Sequence, residues 1–235
     1  MGVIFRRLVC IALCAGLASG ILVTMAHQVA TVPIILKAEI FEKAAEHTQP
    51  AHEHQATPSS EQATAWEPEN GIERTAYTVL ADLLTGIGFA LLLAAGLTLR
   101  GGAVTWRTGL FWGLAGFATF TLAPGLGLPP ELPGTESAPL LERQLWWTAT
   151  VAATGGGLAL LIFTQRVLWA VAAVILIVLP HLHGAPQLAE SASVVPEVLT
   201  RQFVVGVTVV TFLFWLVLGA STGYFYSRFQ RDQTF

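Results

Sequence analysis

Charge is what this sequence has least of. Asp, Glu, Lys and Arg make up 11% of its 235 residues, against roughly 25% in an ordinary soluble domain, while 54% are hydrophobic. Too little polar surface remains to coat a globule in water, so a soluble domain is excluded. Basic runs and basic patches interleaved with aromatics are also missing, and with a net charge of −3 this excludes a nucleic-acid partner. There is no nucleotide-binding motif, no HExxH and no nucleophile motif, so neither nucleotide-driven work nor an enzyme is expected. Cysteine is nearly absent: Cys10 and Cys14 lie one helical turn apart in an apolar segment, where a free thiol behaves as a small hydrophobe.

What is present is long apolar runs. Six stretches approach the roughly 20 residues needed to cross a hydrocarbon core about 30 Å thick, at about 8–32, 75–99, 104–123, 145–163, 167–183 and 203–226. An all-α, polytopic membrane bundle of about six helices follows, one integral membrane domain over residues 1–235. The first run starts after Arg6-Arg7 and reaches Val32 without a small-x-small cleavage site, so a retained helix is expected rather than a signal peptide. The fourth and fifth runs are separated only at Gln165-Arg166, which leaves five or six spans open.

Arginine marks the turns. With the N-terminus inside, Arg6, Arg7, Arg100, Arg107, Arg166, Arg228 and Arg231 are cytoplasmic, and Lys37, Lys43, Arg74, Arg143 and Arg201 are outside, a modest positive-inside bias. Both termini are therefore expected in the cytoplasm, in a cell inner membrane. Gly113-x-x-Gly116 and Gly155-Gly156-Gly157 suit close helix packing.

Three helix entries look alike: Glu73-Arg74-Thr75, Glu142-Arg143-Gln144 and Thr200-Arg201-Gln202. An arginine at a helix N-terminus opposes the macrodipole, so each needs a carboxylate or a lipid phosphate. Pro33, Pro124 and Pro180 are expected to end the helices that precede these entries. The pattern is compatible with three consecutive helical hairpins.

The external loops hold the metal-ligand chemistry. Residues 37–73 form an acidic, His-containing tract with His47, His52 and His54, read as a flexible segment after a short helical extension. It is either a labile ligand set or a solvated linker. Pro180-His181-Leu182-His183 is a second His-x-His, and imidazole is the commonest nitrogen ligand of transition metals. His27, within the first run, and Asp82, the only acid inside a span, are at comparable depth. Such groups mark an ion path or a structural hydrogen bond. The loop from Pro124 to Gly134 is dense in proline and glycine and should be an ordered cap presenting Glu131. Trp146-Trp147 beyond it is read as an interface anchor.

The opening Phe5-Arg6-Arg7-Leu8, the Leu-Pro-Pro-Glu-Leu-Pro-Gly core ending at Gly134, the Arg143-Gln144-x-Trp146-Trp147 entry and Pro180-His181 together resemble the CbtA family of predicted cobalt transporter subunits. The likeness extends over most of the chain. It implies a cobalt uptake component that supplies Co²⁺ for cobalamin biosynthesis and works with CbtB, a small single-span membrane subunit. Imidazole does not select cobalt over nickel, so Co²⁺ or Ni²⁺ is the expected cargo and no permanent cofactor is expected. The candidate metal ligands are His181, His183, His52, His54, His47, His27, Asp82 and Glu131. A non-transporting accessory or metal-sensing subunit would use the same ligands.

Overall fold

The computed structural model describes residues 2–48, 68–164, 166–188 and 193–231. In chain order these form α1 (Gly2–Ala30), α2 (Val32–Thr48), α3 (Ile72–Arg100), α4 (Trp106–Phe117), a π-helical turn (Ala118–Leu122), α5 (Ala123–Gly127), α6 (Leu140–Phe163), α7 (Val167–His183) and α8 (Glu197–Arg231). The chain folds as an all-α membrane bundle.

Five segments are long and apolar enough to cross a membrane: Ile4–Ala30, Ile72–Arg100, Trp106–Gly127, Leu140–Phe163 and Glu197–Gln230. The sixth expected span, α7, has 17 residues, about 25 Å of helix. It turns back at Thr164 to Arg166 and lies antiparallel to α6. Gly157 of α6 meets Ala173 and Ile177, and Trp146 Nε1 donates to the Pro180 carbonyl at 3.2 Å. Where α6 crosses, α7 therefore returns beside it, shorter than its partner.

Each of the three helices ends within about a turn of its proline, α1 at Ala30, the Trp106–Gly127 segment at Gly127 and α7 at His183, but the prolines themselves sit in helical backbone. Pro33 sits in the first turn of α2, Pro124 in the first turn of α5, and Pro180 within α7. A first-turn proline lacks only an N–H that has no intrahelical partner, so helix can resume through it. Around Pro33 the break is confined to Thr31, whose carbonyl restarts the ladder by accepting from Ile34 and Ile35. Before Pro124 the ladder widens by one residue, with Ala123 N–H bonding the Ala118 carbonyl.

Helix pairing follows glycine, not chain order. α1 lies antiparallel to α3, where a Cβ on Gly16 would stand 2.5 Å from Ile87 Cα. α4 packs on α8, not on α6: a Cβ on Gly109 would be 2.2 Å from the Gly219 carbonyl oxygen. α6 pairs with α7, and among the described residues α7 and α8 have no substantial packing. The three sequential hairpins expected from the arginine entries are thus not three equivalent packed units. Small residues on α4 and α8 allow a closer, more extensive contact than α4 could make with α6.

Inside the α1, α3, α4 and α8 group lies an aromatic core. Phe89, Phe120, Phe214 and Trp215 have ring centroids 4.7 to 6.5 Å apart where they meet, a spacing typical of favourable aromatic pairs. The end of the bundle that carries Arg7, Arg100 and Arg228 is tied by Arg7. Its guanidinium donates to the Tyr226 carbonyl and lies 4.6 Å from the Tyr226 ring centre, while Tyr226 and Thr98 hydroxyls are 3.1 Å apart. At the opposite end the loop 128–139 is an ordered cap. Leu132, 2% exposed, plugs a cluster with Ala38, Val195 and Phe203.

Candidate functional site

One polar cluster is set within the spans. Thr24 and His27 on α1 and Thr31 just past its end recur at i, i+3 and i+7, and because the Thr31 N–H still bonds the His27 carbonyl the three share one face. Gly20 lets α3 approach that face: a Cβ there would lie 2.9 Å from Leu83 Cα and 3.1 Å from the Asp82 carbonyl. The close approach delivers Asp82 to His27, with His27 Nε2 4.0 Å from Asp82 Oδ1.

Hydroxyls orient both side chains. The Thr31 hydroxyl lies 3.2 Å from the His27 carbonyl and 2.9 Å from His27 Nδ1. With the hydroxyl proton on the carbonyl, Nδ1 carries the imidazole proton and the Nε2 lone pair is on the side of Asp82. The Thr24 hydroxyl donates to Asp82 Oδ2 at 2.8 Å and leaves Oδ1 open. A metal-binding imidazole commonly has its other nitrogen fixed in this way.

The open Nε2 and Oδ1 can share one cation. Ligands about 2.1 Å from a metal stand roughly 3.0 Å apart when adjacent and roughly 4.2 Å when opposed, and the 4.0 Å separation lies between these limits. Both residues line a cavity of about 200 Å³ with Thr85, Thr121, Thr211 and Trp147. A single water needs only about 10–15 Å³ of such space, so a partly hydrated ion fits. Phe89, Phe120, Phe214 and Trp215 of the aromatic core line the cavity as well. Trp215 Nε1 donates to Thr121 Oγ1 at 3.3 Å and so anchors the π-helical turn to this wall.

The remaining candidates are not gathered here. His181 and His183 lie in helical backbone at the end of α7, not in extended chain. Residues two apart on a helix do not face each other. His181 packs edge-on against Trp146 at 5.8 Å, and His183 is exposed. Glu131 is held by Arg143 at 2.8 Å and by the Ser137 hydroxyl, and is separate from His27 and Asp82. His47 falls in the last turn of α2, and His52 and His54 lie outside the described residues. Among the described residues no three His, Cys, Asp or Glu side chains converge into a metal-holding group.

The arginine entries have carboxylate partners: Arg74 bonds Glu39 at 2.5 Å, Arg143 bonds Glu131, and Arg201 bonds Glu197 at 2.6 Å. Trp146 is buried against α7 and is not an interface anchor, because its indole N–H donates to the Pro180 carbonyl, which also accepts from Gly184 N–H. Trp147 is half-exposed and turns toward the His27 cavity.

Sequence reading missed Thr24 and Thr31. Their spacing from His27 was the available signal, since a hydroxyl one turn away on a helix is within reach of an imidazole. Thr85, Thr121 and Thr211 join the cavity from three other segments and carry no such local signal.

A family model described as probable cobalt transporter subunit (CbtA) matches residues 5–227. No curated protein and no solved structure matches the chain.

Proposed function

The chain belongs to the CbtA family of probable cobalt transporter subunits, and we propose on that premise that it carries Co²⁺ through the membrane by way of His27 and Asp82. The observation that carries this reading is the orientation of two ligand atoms, Nε2 and Oδ1, toward each other across 4.0 Å inside a span. An ionisable pair at such depth is costly to keep unless it serves a path or a partner.

In this reading the chain sits in the cell inner membrane with the arginine-rich end and both termini on the cytoplasmic side, and the end bearing α7's histidines faces outward. His181, His183, His47, His52 and His54 collect the ion individually from outside. His27 and Asp82 exchange part of its hydration shell for nitrogen and carboxylate. Glu131 is left out of the path because its charge is engaged by Arg143. Co²⁺ is cargo, with Ni²⁺ as the chemically nearest competitor, and the ion serves cobalamin biosynthesis. A CbtB-like single-span subunit completes the transporter.

A second reading, a metal-sensing accessory that holds cobalt without moving it, is favoured by the thinness of a two-residue ligand set. Flux separates the two. Purified chain in liposomes loaded with a cobalt-quenched dye, with and without the partner subunit, should quench faster than empty liposomes. Asp82→Asn should reduce that rate at least tenfold, since the amide still accepts from Thr24 but brings no charge. Wild-type flux from Asp82→Asn would remove this pair from the path.

A further inference from the structure

A second cavity, larger than the first and chemically unlike it, lies between α3, α4 and α6. Its volume is about 840 Å³, and its walls include Leu92, Phe111, Ala152, Gly155, Ala159 and Phe163. It exists because α6 reaches the rest of the bundle mainly through the π-helical turn and α5, and among the described residues α3 and α6 have no substantial packing. Gly155 and Gly156 keep the α6 wall thin, and a Cβ on either would meet nothing closer than 3.4 Å. Arg100 and Arg107 line the crevice at the arginine-rich end of the bundle.

We propose that this crevice binds one anionic phospholipid, its phosphate held by Arg100 and Arg107 and an acyl chain laid along the apolar walls. Charge is the first support. Arg74, Arg143 and Arg201 at the opposite end each have a carboxylate, whereas Arg100 and Arg107 have none among the described residues. Arg107 makes only a ring contact, with its guanidinium 5.5 Å from the Trp106 ring centre. In the sequence the tails and turns on this side of the spans carry seven arginines and one acid, Asp232, so a protein carboxylate is scarce among them and a phosphate is the natural anion. Basic pockets between membrane helices are known to take lipid headgroups.

Lining is the second support. Apart from Arg100, Arg107, Thr108 and Thr119 every side chain on the walls is apolar, which suits a narrow acyl chain that bends to fit. Two fixed positive charges also make the crevice a poor route for Co²⁺, so this site is distinct from the His27 cavity and does not rest on the transport reading. Phe120 lines both cavities, which places the lipid chain against the reverse side of the ion cavity's wall.

The test is lipid retention. The full chain, purified in mild detergent, is weighed by native mass spectrometry and its phospholipids are extracted and quantified. Wild type should keep about one phosphatidylglycerol or cardiolipin per chain. Arg100→Gln with Arg107→Gln, at exposed positions, should lower retention at least fivefold. Ala159→Trp, which fills the crevice and leaves both charges, should lower it independently. Both variants are checked for an unchanged elution profile. Equal retention in the arginine variant overturns the proposal. So does retention of only zwitterionic lipid, or a co-purifying polypeptide that shields Ala152→Cys from maleimide.

Discussion

Asp82 of α3 presents Oδ1 to Nε2 of His27 on α1 at 4.0 Å, and each residue is braced by a threonine, Thr24 of α1 for Asp82 and Thr31 just past α1 for His27. The pair is thereby held open, too far apart for a hydrogen bond and near enough to share an ion. Thr31 fixes the imidazole, so Thr31→Val should free Nδ1 and weaken cobalt binding by roughly 10-fold to 100-fold, the usual loss when an outer hydrogen-bond partner of a metal ligand is removed. Thr31→Ser should restore most of it. Titration of the purified variants with Co²⁺ measures this, and equal affinities for all three would assign Thr31 to packing alone.

The histidines of α7 should act separately. His181 and His183 lie on different sides of a helix, so the loss of cobalt accumulation in His181→Ala with His183→Ala should equal the product of the single losses. A chelating pair would behave otherwise, with either single variant as severe as the double. His181→Ala should also cost about 0.5–1.5 kcal/mol of stability through its edge contact with Trp146, readable as a lower melting temperature, whereas His183→Ala should cost none.

Glu131 is expected to matter for stability and not for cobalt. Removing either partner of the Glu131–Arg143 bridge should cost about 0.2–1 kcal/mol at this partly exposed site, with a double-mutant cycle giving the coupling. Cobalt affinity of Glu131→Gln should match wild type. A tenfold loss would return this carboxylate to the ion path.

The glycine seam between α4 and α8 is the most sensitive packing contact. Gly109→Val would drive a side chain into the Gly219 backbone, and overpacking of this kind costs about 1–3 kcal/mol or more. Gly88→Ala, where a Cβ meets nothing within 4 Å, serves as the matched control and should leave thermal unfolding in detergent unchanged.

Sidedness can be read by labelling. In a background lacking Cys10 and Cys14, Glu136→Cys should react with a membrane-impermeant maleimide in intact cells. Ala103→Cys should react only after permeabilisation. The reverse pattern would place the histidines of α7 in the cytoplasm and remove the capture step.

Much of this molecule is legible one residue at a time. Apolar run length fixed five of the helices as spans, because the bilayer sets that length whatever the neighbours are. His27 and Asp82 stood out because a polar group in hydrocarbon is costly wherever it sits along a helix. Proline marked the helix ends at positions 33, 124 and 180 to within about a turn but not to the residue, since helix resumes through a first-turn proline, as at Pro33 and Pro124, and continues for three residues past Pro180. The His181 and His183 pair misled for a related reason: alternation places two rings together only in extended chain, and α7 stays helical through Pro180.

The sequence by itself determined the class of protein, the approximate positions of its spans, the arginine-rich end and the two ionisable residues buried among apolar ones. Only the tertiary structure decided that α4 pairs with α8 and not with α6, that Thr24 and Thr31 orient Asp82 and His27, and that Arg143 engages Glu131. Hydrophobic length and buried charge are properties of a segment against its solvent. Helix pairing and hydrogen-bond partnership depend on how closely two backbones approach, and that distance is set jointly by glycines from opposite ends of the chain.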